Sequence, residues 1–482
     1  MVVNSLNFLV FFIAVFSVYY FVLQGKSKAQ NVWLLLASYL FYGFAEWKMV
    51  PLLLTATVVF YVLGIAIGKY KNNSEKTATA LATAGVVLGI GLLLYFKYLN
   101  FFIASFISFF TALGLHTNWS TFSILMPLGI SFFTFKLISY VIEVNRGHME
   151  PCSNFVDFAT YISFFPTILA GPIDRPKFFL SQLSAGRVLN FDLASEGIKR
   201  LFWGMFMKMC VADRLSIYVD AVFSNAVHHN GTSLSFATLL YPVQMYADFA
   251  GYSEMAIGIG CLLGIRITEN FKRPFFSHNI AEYWRKWHIS LTGWLTDYVF
   301  MPLNIRFRNM EKWGSILAII VTFVLIGLWH GAAWTFALFG LYHGLLYIPL
   351  MLSGAFFKKS KKAKGGLPPL TSVLKMLRTY LLVALGLILF RSANLNEAGM
   401  ITYKIATDWG SLFLDYKSLI NGLLCLLILL VKDFNDEYRP GRQLFSAAPL
   451  NRYSYEITVS AYIILILFFG VFDGNQFIYF KF

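Results

Sequence analysis

Residues 316–328 read Ile-Leu-Ala-Ile-Ile-Val-Thr-Phe-Val-Leu-Ile-Gly-Leu without a charge, and the run leads straight into Trp329-His330-Gly331-Ala332-Ala333-Trp334. A helix needs about 20 mainly apolar residues to cross the hydrocarbon core of a bilayer. The expected segment around it, 313–330, approaches that length, and Ile457–Val471 is almost as apolar. Similar runs recur from end to end. Helical segments are expected near 4–22, 31–46, 50–68, 78–96, 98–113, 124–144, 155–171, 196–223, 232–263, 288–303, 313–330, 335–353, 373–391, 415–431 and 455–472. They leave no room for a large water-soluble domain. Several are short or broken by Gly and Pro, which suits re-entrant or interfacial segments, so about 11 to 13 of them are expected to be true crossings. The fold class read from this pattern is an all-α polytopic membrane protein.

Composition supports that class. The chain has 482 residues, 58% hydrophobic, with 50 phenylalanines and only 13% charged positions; soluble domains carry about 25% charged residues. The formal charge of +15 would suggest nucleic acid in a soluble protein. Here the basic residues lie between apolar runs, at Gln24–Gln30, Lys69–Lys76 and Lys358–Lys364. That pattern fits loops held on the cytoplasmic side against anionic headgroups. Membrane lipids are therefore the expected partners, nucleic acid is not, and the N-terminus is expected outside. Cys152, Cys210, Cys261 and Cys425 form no CxxC pair, so neither a disulfide framework nor a metal site is expected. The first residues lack the basic region of a cleavable signal, so the first apolar stretch is expected to remain as a helix.

Polar residues inside apolar helices are expensive and mark function. Four clusters stand out. Pro127–Phe135 (PLGISFFTF) places Ser131 and Thr134 behind a Pro-Leu-Gly helix start. Phe164–Arg175 (FFPTILAGPIDR) holds two prolines and a glycine, as a broken or re-entrant segment would, and ends on Asp174 and Arg175. The third begins with Tyr246–Met255 (YADFAGYSEM), carrying Asp248 and Glu254. It continues through Asn270–Phe275 (NFKRPF) to Glu282–Tyr298 (EYWRKWHISLTGWLTDY), where His288 is expected one helical turn from Trp284 and Thr292. This aromatic, basic block reads either as an interfacial anchor helix or as the wall of a substrate tunnel.

The fourth is Gly327–Trp334 (GLWHGAAW). Histidine is the side chain suited to moving a proton near neutral pH, and the small residues Gly327, Gly331, Ala332 and Ala333 are expected to leave room for another molecule beside His330. A hydrogen-bonded packing histidine is the competing reading. His343 is a weaker candidate further along the next helix. No P-loop or dinucleotide fingerprint is present.

Taken in order, PLGISFFTF, FFPTILAGPIDR, YADFAGYSEMAIGIG, NFKRPF, EYWRKWHISLTGWLTDYVFMPL, GLWHGAAW and the ending Phe477–Phe482 resemble the membrane-bound O-acyltransferase family over nearly the whole chain. The likeness is to its bacterial polysaccharide-modifying branch, nearest the alginate-acetylating members. The resemblance implies a ring of tilted helices around a tunnel that crosses the membrane, in one integral acyltransferase domain. Residues 1–113 would supply N-terminal helices, 124–353 the catalytic core and 373–482 C-terminal helices. By the same resemblance, the histidine of the WHG element maps onto His330 as the essential catalytic residue, and that of the WHIS element onto His288. The expected tunnel-lining residues are Trp329, Gly331, Trp284, Arg285, Trp287, Ser290, Asp297, Asp248 and Ser131.

The implied reaction moves an acetyl group from a cytoplasmic thioester, with acetyl-CoA as donor substrate and no bound cofactor, for O-acetylation of an extracytoplasmic, alginate-like polysaccharide. An extracytoplasmic acetyltransferase partner is implied, as is a bacterial inner-membrane location. Two alternatives stand beside this reading. One is a D-alanyl transfer protein for teichoic acid, fed by a carrier-protein thioester. The other is a lipid or solute transporter, whose marks would be paired intramembrane charges or inverted repeats; no internal repeat is visible.

Overall fold

The structure is a computed structural model, and it describes residues 3–115, 118–354, 366–439, 452–472 and 477. The basic run Lys358–Lys364, and the C-terminal residues of the family-like ending other than Phe477, lie outside the described residues. Among the described residues every regular element is helical. Among these residues five helical runs are long and apolar enough to cross a membrane: Ser27–Lys71, Glu75–Ala112, Arg308–His330, Trp334–Leu352 and Leu370–Arg391. Leu6–Val22 and Tyr455–Phe469 are shorter apolar helices. The protein is a polytopic helical membrane protein.

The 11 to 13 expected crossings are not each a separate long apolar helix. The first two runs, at 45 and 38 residues, are each longer than the roughly 20 residues one pass needs. Other expected segments are interrupted. The segment expected over 155–171 stays helical only over Phe155–Ser163, then breaks at Phe164 (φ −46, ψ 110). The segment expected over 288–303 divides into Ile289–Leu295, a wide π-turn at Thr296–Phe300, and Met301–Arg306.

The chain folds as two compact units, Met1–Ala194 with Ile259–Thr268, and Ser195–Gly258 with Glu269–Phe482. In the first, the PLG start of the 127–135 cluster becomes a left-handed cap. Gly129 has φ +71, and a β-carbon there would lie 2.2 Å from the Ile168 carbonyl oxygen. Glycine is thus required both for the turn and for the approach. The cap opens the Ile130–Arg146 helix, whose Lys136 is fully buried and donates to the Tyr161 carbonyl (3.1 Å) and Thr167 Oγ1 (3.0 Å). Asp174 is also fully buried, and its Oδ1 accepts from the Thr268 N–H (2.8 Å) and hydroxyl (2.6 Å). The FFPTILAGPIDR segment therefore carries its aspartate inside this unit, with Arg175 half-buried beside it.

The second unit carries both candidate histidines. In it the Glu311–His330 helix packs along Trp334–Leu345. A β-carbon on Gly327 would lie 2.0 Å from the Phe336 carbonyl oxygen, and one on Gly340 would lie 2.2 Å from that of Phe323. The backbones touch because neither position has a side chain, the small-residue packing common in membrane helices.

Leu395–Thr407 is a helix that hydropathy does not announce. Asn394 caps it by accepting from the Glu397 N–H (2.9 Å), while Glu397 accepts from the Ala393 N–H (2.6 Å). This is a variant of the capping box in which the glutamate reaches the N–H of the residue before the cap. Asn279 and Glu282 repeat the device at Ile280–Lys286, where Asn279 accepts from the Glu282 N–H (2.9 Å) and Glu282 accepts from the His278 N–H (3.0 Å).

Candidate active site

His330 is the last residue of the Glu311–His330 helix, which stops because Gly331 turns extended (φ −161, ψ 149). Its imidazole is buried among rings: Trp329 at 4.9 Å between centroids, Phe390 at 5.1 Å and Phe339 at 6.4 Å. The expectation that small neighbours leave space beside it is corrected at two positions. The room at Gly331 is taken by the Phe336 ring, which a β-carbon would approach to 2.1 Å, and the room at Gly327 by the Phe336 main chain. These glycines admit the next helix, not a ligand. Ala332 and Ala333 are half-buried.

His288 is placed differently. The expected continuous helix through the WHIS block is interrupted at this residue, which adopts the left-handed conformation (φ 46, ψ 52) between Ile280–Lys286 and Ile289–Leu295. A non-glycine residue held there costs about 1–3 kcal/mol and persists only where its surroundings over-determine it. The surroundings here are Asn270. Its carbonyl accepts from the Ile289 N–H (2.9 Å), and its Oδ1 lies within hydrogen-bond range of His288 Nδ1 (3.0 Å), Ser290 Oγ (2.9 Å) and the Ser290 N–H (3.3 Å). Asn270 Nδ2 donates to Ser253 Oγ (3.2 Å).

Around the His288 ring stand Phe249 (4.7 Å), Phe271 (6.4 Å) and Trp329 (5.7 Å). His288 lies outside the five long apolar helices, and burial disfavours its charged form, pushing the imidazole down to about 3. The ring is neutral at physiological pH.

Trp329 joins the two histidines. Its indole contacts both imidazoles edge-to-face, at 5.7 Å from His288 and 4.9 Å from His330. Of the other expected residues, Ser290 belongs to the Asn270 cluster. Trp287 packs on Phe271 (5.1 Å) and stacks on Tyr283 (5.4 Å). Trp284 instead faces His343, to whose Nδ1 its indole N–H donates (3.3 Å). Arg285 and Asp297 are exposed. Ser131 is buried in the first turn of Ile130–Arg146, in the first unit.

Asp248 is buried in an ion cluster: Lys208 Nζ reaches Asp248 Oδ1 (2.6 Å) and Asp213 Oδ1 (2.8 Å), with the Phe477 ring 4.5 Å from the ammonium. A second network ties the NFKRPF–WHIS block to the Tyr416–Tyr438 helix. Arg273 (2.8 Å) and Lys286 (2.9 Å) both bind Glu437, and the Tyr246 hydroxyl donates to Asp433 (2.9 Å).

Sequence reasoning quoted the segment holding Asn270 but assigned that residue no role, and it passed over Lys208, Asp213, Asp433 and Glu437. Asn270 directly precedes an aromatic-basic turn, but the local pattern does not show that it binds His288. The others are single polar residues whose partners lie far away in the chain.

The family model of the membrane-bound O-acyltransferases matches residues 8–366, a span that contains His288, Asn270 and His330. The chain is 37% identical over 401 residues to the probable alginate O-acetylase AlgI of Pseudomonas syringae pv. tomato, covering 83% of this chain and 74% of the relative. It is 31% identical over 431 residues to the peptidoglycan O-acetyltransferase of Helicobacter pylori (82% and 78%). To the teichoic acid D-alanyltransferase of Bacillus subtilis it is 31% identical over 273 residues (55% and 68%). The family match runs over most of the chain and the relatives are O-acetylating enzymes over most of their own length, so this protein is an acyltransferase and belongs to the membrane-bound O-acyltransferase family.

Proposed function

We propose that this acyltransferase takes an acetyl group from acetyl-CoA on the cytoplasmic side of a bacterial inner membrane and passes it across for O-acetylation of an extracytoplasmic, alginate-like polysaccharide. The whole chain acts as one integral domain with its N-terminus outside, and an extracytoplasmic acetyltransferase partner finishes the transfer. The observation that carries the site assignment is the shared contact of His330 and His288 with Trp329. The alginate and peptidoglycan O-acetylating relatives support the substrate class.

In the proposed step His330 removes the proton of an acceptor hydroxyl as the oxygen attacks the thioester carbonyl. The tetrahedral intermediate collapses, the carbon–sulfur bond breaks, and the imidazolium returns a proton to the departing thiolate. The new bond is an ester, and no oxidant or reductant is needed. The rings around His330 bury it away from bulk solvent, and electrostatic interactions act more strongly in such a low-dielectric setting. General base catalysis of this kind contributes about 100- to 10,000-fold.

The test is acetyl transfer from radiolabelled acetyl-CoA by the purified protein in nanodiscs, wild type beside His330→Ala. Transfer by the wild type alone is the expected result. Equal transfer by both would remove His330 from the chemistry. Transfer by the wild type only when an acyl carrier-protein thioester replaces acetyl-CoA would replace the donor.

A further inference from the structure

We propose that Asn270 is a positioning residue for acyl transfer: its side chain holds His288 in a single tautomer and orientation, with the proton on Nδ1 and the basic lone pair on Nε2. The proposal rests on the reading that His288 takes part in transfer.

The geometry fixes the direction of each hydrogen bond. The Ser290 main-chain N–H can only donate, and it points at the Asn270 side-chain atom 3.3 Å away. That atom is therefore the amide oxygen; a flipped amide would set two N–H donors against each other. The opposite end agrees, because the amide nitrogen has the Ser253 hydroxyl, an acceptor, at 3.2 Å. An amide oxygen only accepts, so the imidazole nitrogen 3.0 Å from it, Nδ1, must carry the proton. In a neutral ring the other nitrogen, Nε2, then carries the lone pair and can only accept. The choice of tautomer is thus made by a residue 18 positions earlier in the chain.

Asn270 also governs the ring's direction. Its carbonyl binds the Ile289 N–H and its side chain binds Ser290, so it holds the two residues that follow the left-handed His288. Main chain and side chain of His288 are set by the same neighbour.

An aspartate at 270 would accept from all three donors now on Oδ1, and the Ser253 hydroxyl can turn to donate to its second oxygen. An alanine can do neither. The test measures kcat and donor KM for Asn270→Ala, Asn270→Asp, His288→Asn and the double variant His288→Asn/Asn270→Ala, each with its thermal unfolding midpoint. We expect Asn270→Ala to lose about tenfold or more in kcat with donor KM within about twofold, and Asn270→Asp to recover most of that loss. On the His288→Asn background the alanine should add less than about a twofold further loss, because residues acting through one another are not additive.

Wild-type kcat in Asn270→Ala would overturn the proposal. So would losses that multiply in the double variant, or an aspartate as slow as the alanine while melting like the wild type. If the alanine variant does not fold, the aspartate variant decides alone. A wild-type rate in His288→Asn is a different result: it overturns the role of His288, and the proposal falls with that reading.

Discussion

The two histidines of the site are held in different ways. His330 ends a long apolar helix, wedged among Trp329, Phe339 and Phe390 with Phe336 packed on the glycine that follows it. His288 sits in a strained turn and is fixed by hydrogen bonds through Asn270, in a region that also buries Lys208 with Asp213 and Asp248. Both are packed by rings, and His288 is in addition tied by hydrogen bonds to a residue distant in the chain, so the ring contacts test shape and the Asn270 cluster tests polar pairing. Shape fails gradually, since packing tolerates swaps of similar volume. Polar pairing fails abruptly, because a lost partner leaves a buried group unsatisfied.

The largest effect should come from the packed side and appear in rate rather than stability. His330→Gln fills much of the same volume without a proton-transfer group. Acetyl transfer should fall by about 100- to 10,000-fold, while the unfolding midpoint in detergent stays near that of the wild type. A variant that melts far earlier would show that packing, not proton transfer, is what the histidine supplies.

The polar side should show the largest stability effect. Lys208→Met leaves two buried carboxylates facing each other, and loss of one partner from a buried ionic cluster costs about 3–5 kcal/mol. The loss should be read in the midpoint of chemical unfolding; an unchanged midpoint would mean that Asp213 and Asp248 are not held by this ammonium.

Gly331→Ala tests the shape side by overfilling it. The added methyl meets the Phe336 ring, and overpacking of this kind costs about 1–3 kcal/mol. Gly331→Ala paired with Phe336→Leu should recover part of that loss, and no recovery would mean that another contact makes the glycine necessary.

The smallest effect is expected at Arg285, which is exposed in spite of its place beside Trp284. Arg285→Ala should change stability by no more than about 0.5 kcal/mol. A large loss of transfer with unchanged stability would place it on the substrate path.

The same contrast explains what was legible in the sequence. His330 stood out because it interrupts hydropathy: an ionisable ring at the end of an apolar run. The family likeness then rested on ordered motifs that a linear reading can find. Asn270 did not stand out, because its role depends on a turn that brings together residues 18 positions apart, and nothing in the local pattern shows that His288 leaves the helix. Lys208 lies between methionines, and its partner Asp248 is 40 positions away. The Leu395–Thr407 helix was passed over because hydropathy was the signal sought, although Asn394 and Glu397 already spell a capping box. The space beside His330 was misjudged for a related reason: a glycine in a string of letters reads as room, but in a membrane bundle the neighbouring helix usually claims it.

The glycines at 327, 331 and 340 constrain how this enzyme can be re-engineered. None accepts even a methyl group without moving backbone or a ring, so the WHG helix and its neighbour form a chassis that directed evolution will find closed to change. A library aimed at longer acyl groups should leave those positions fixed and trim the phenylalanines that fill the gaps, Phe336, Phe339 and Phe390, where carving away a ring can open volume without separating the helices.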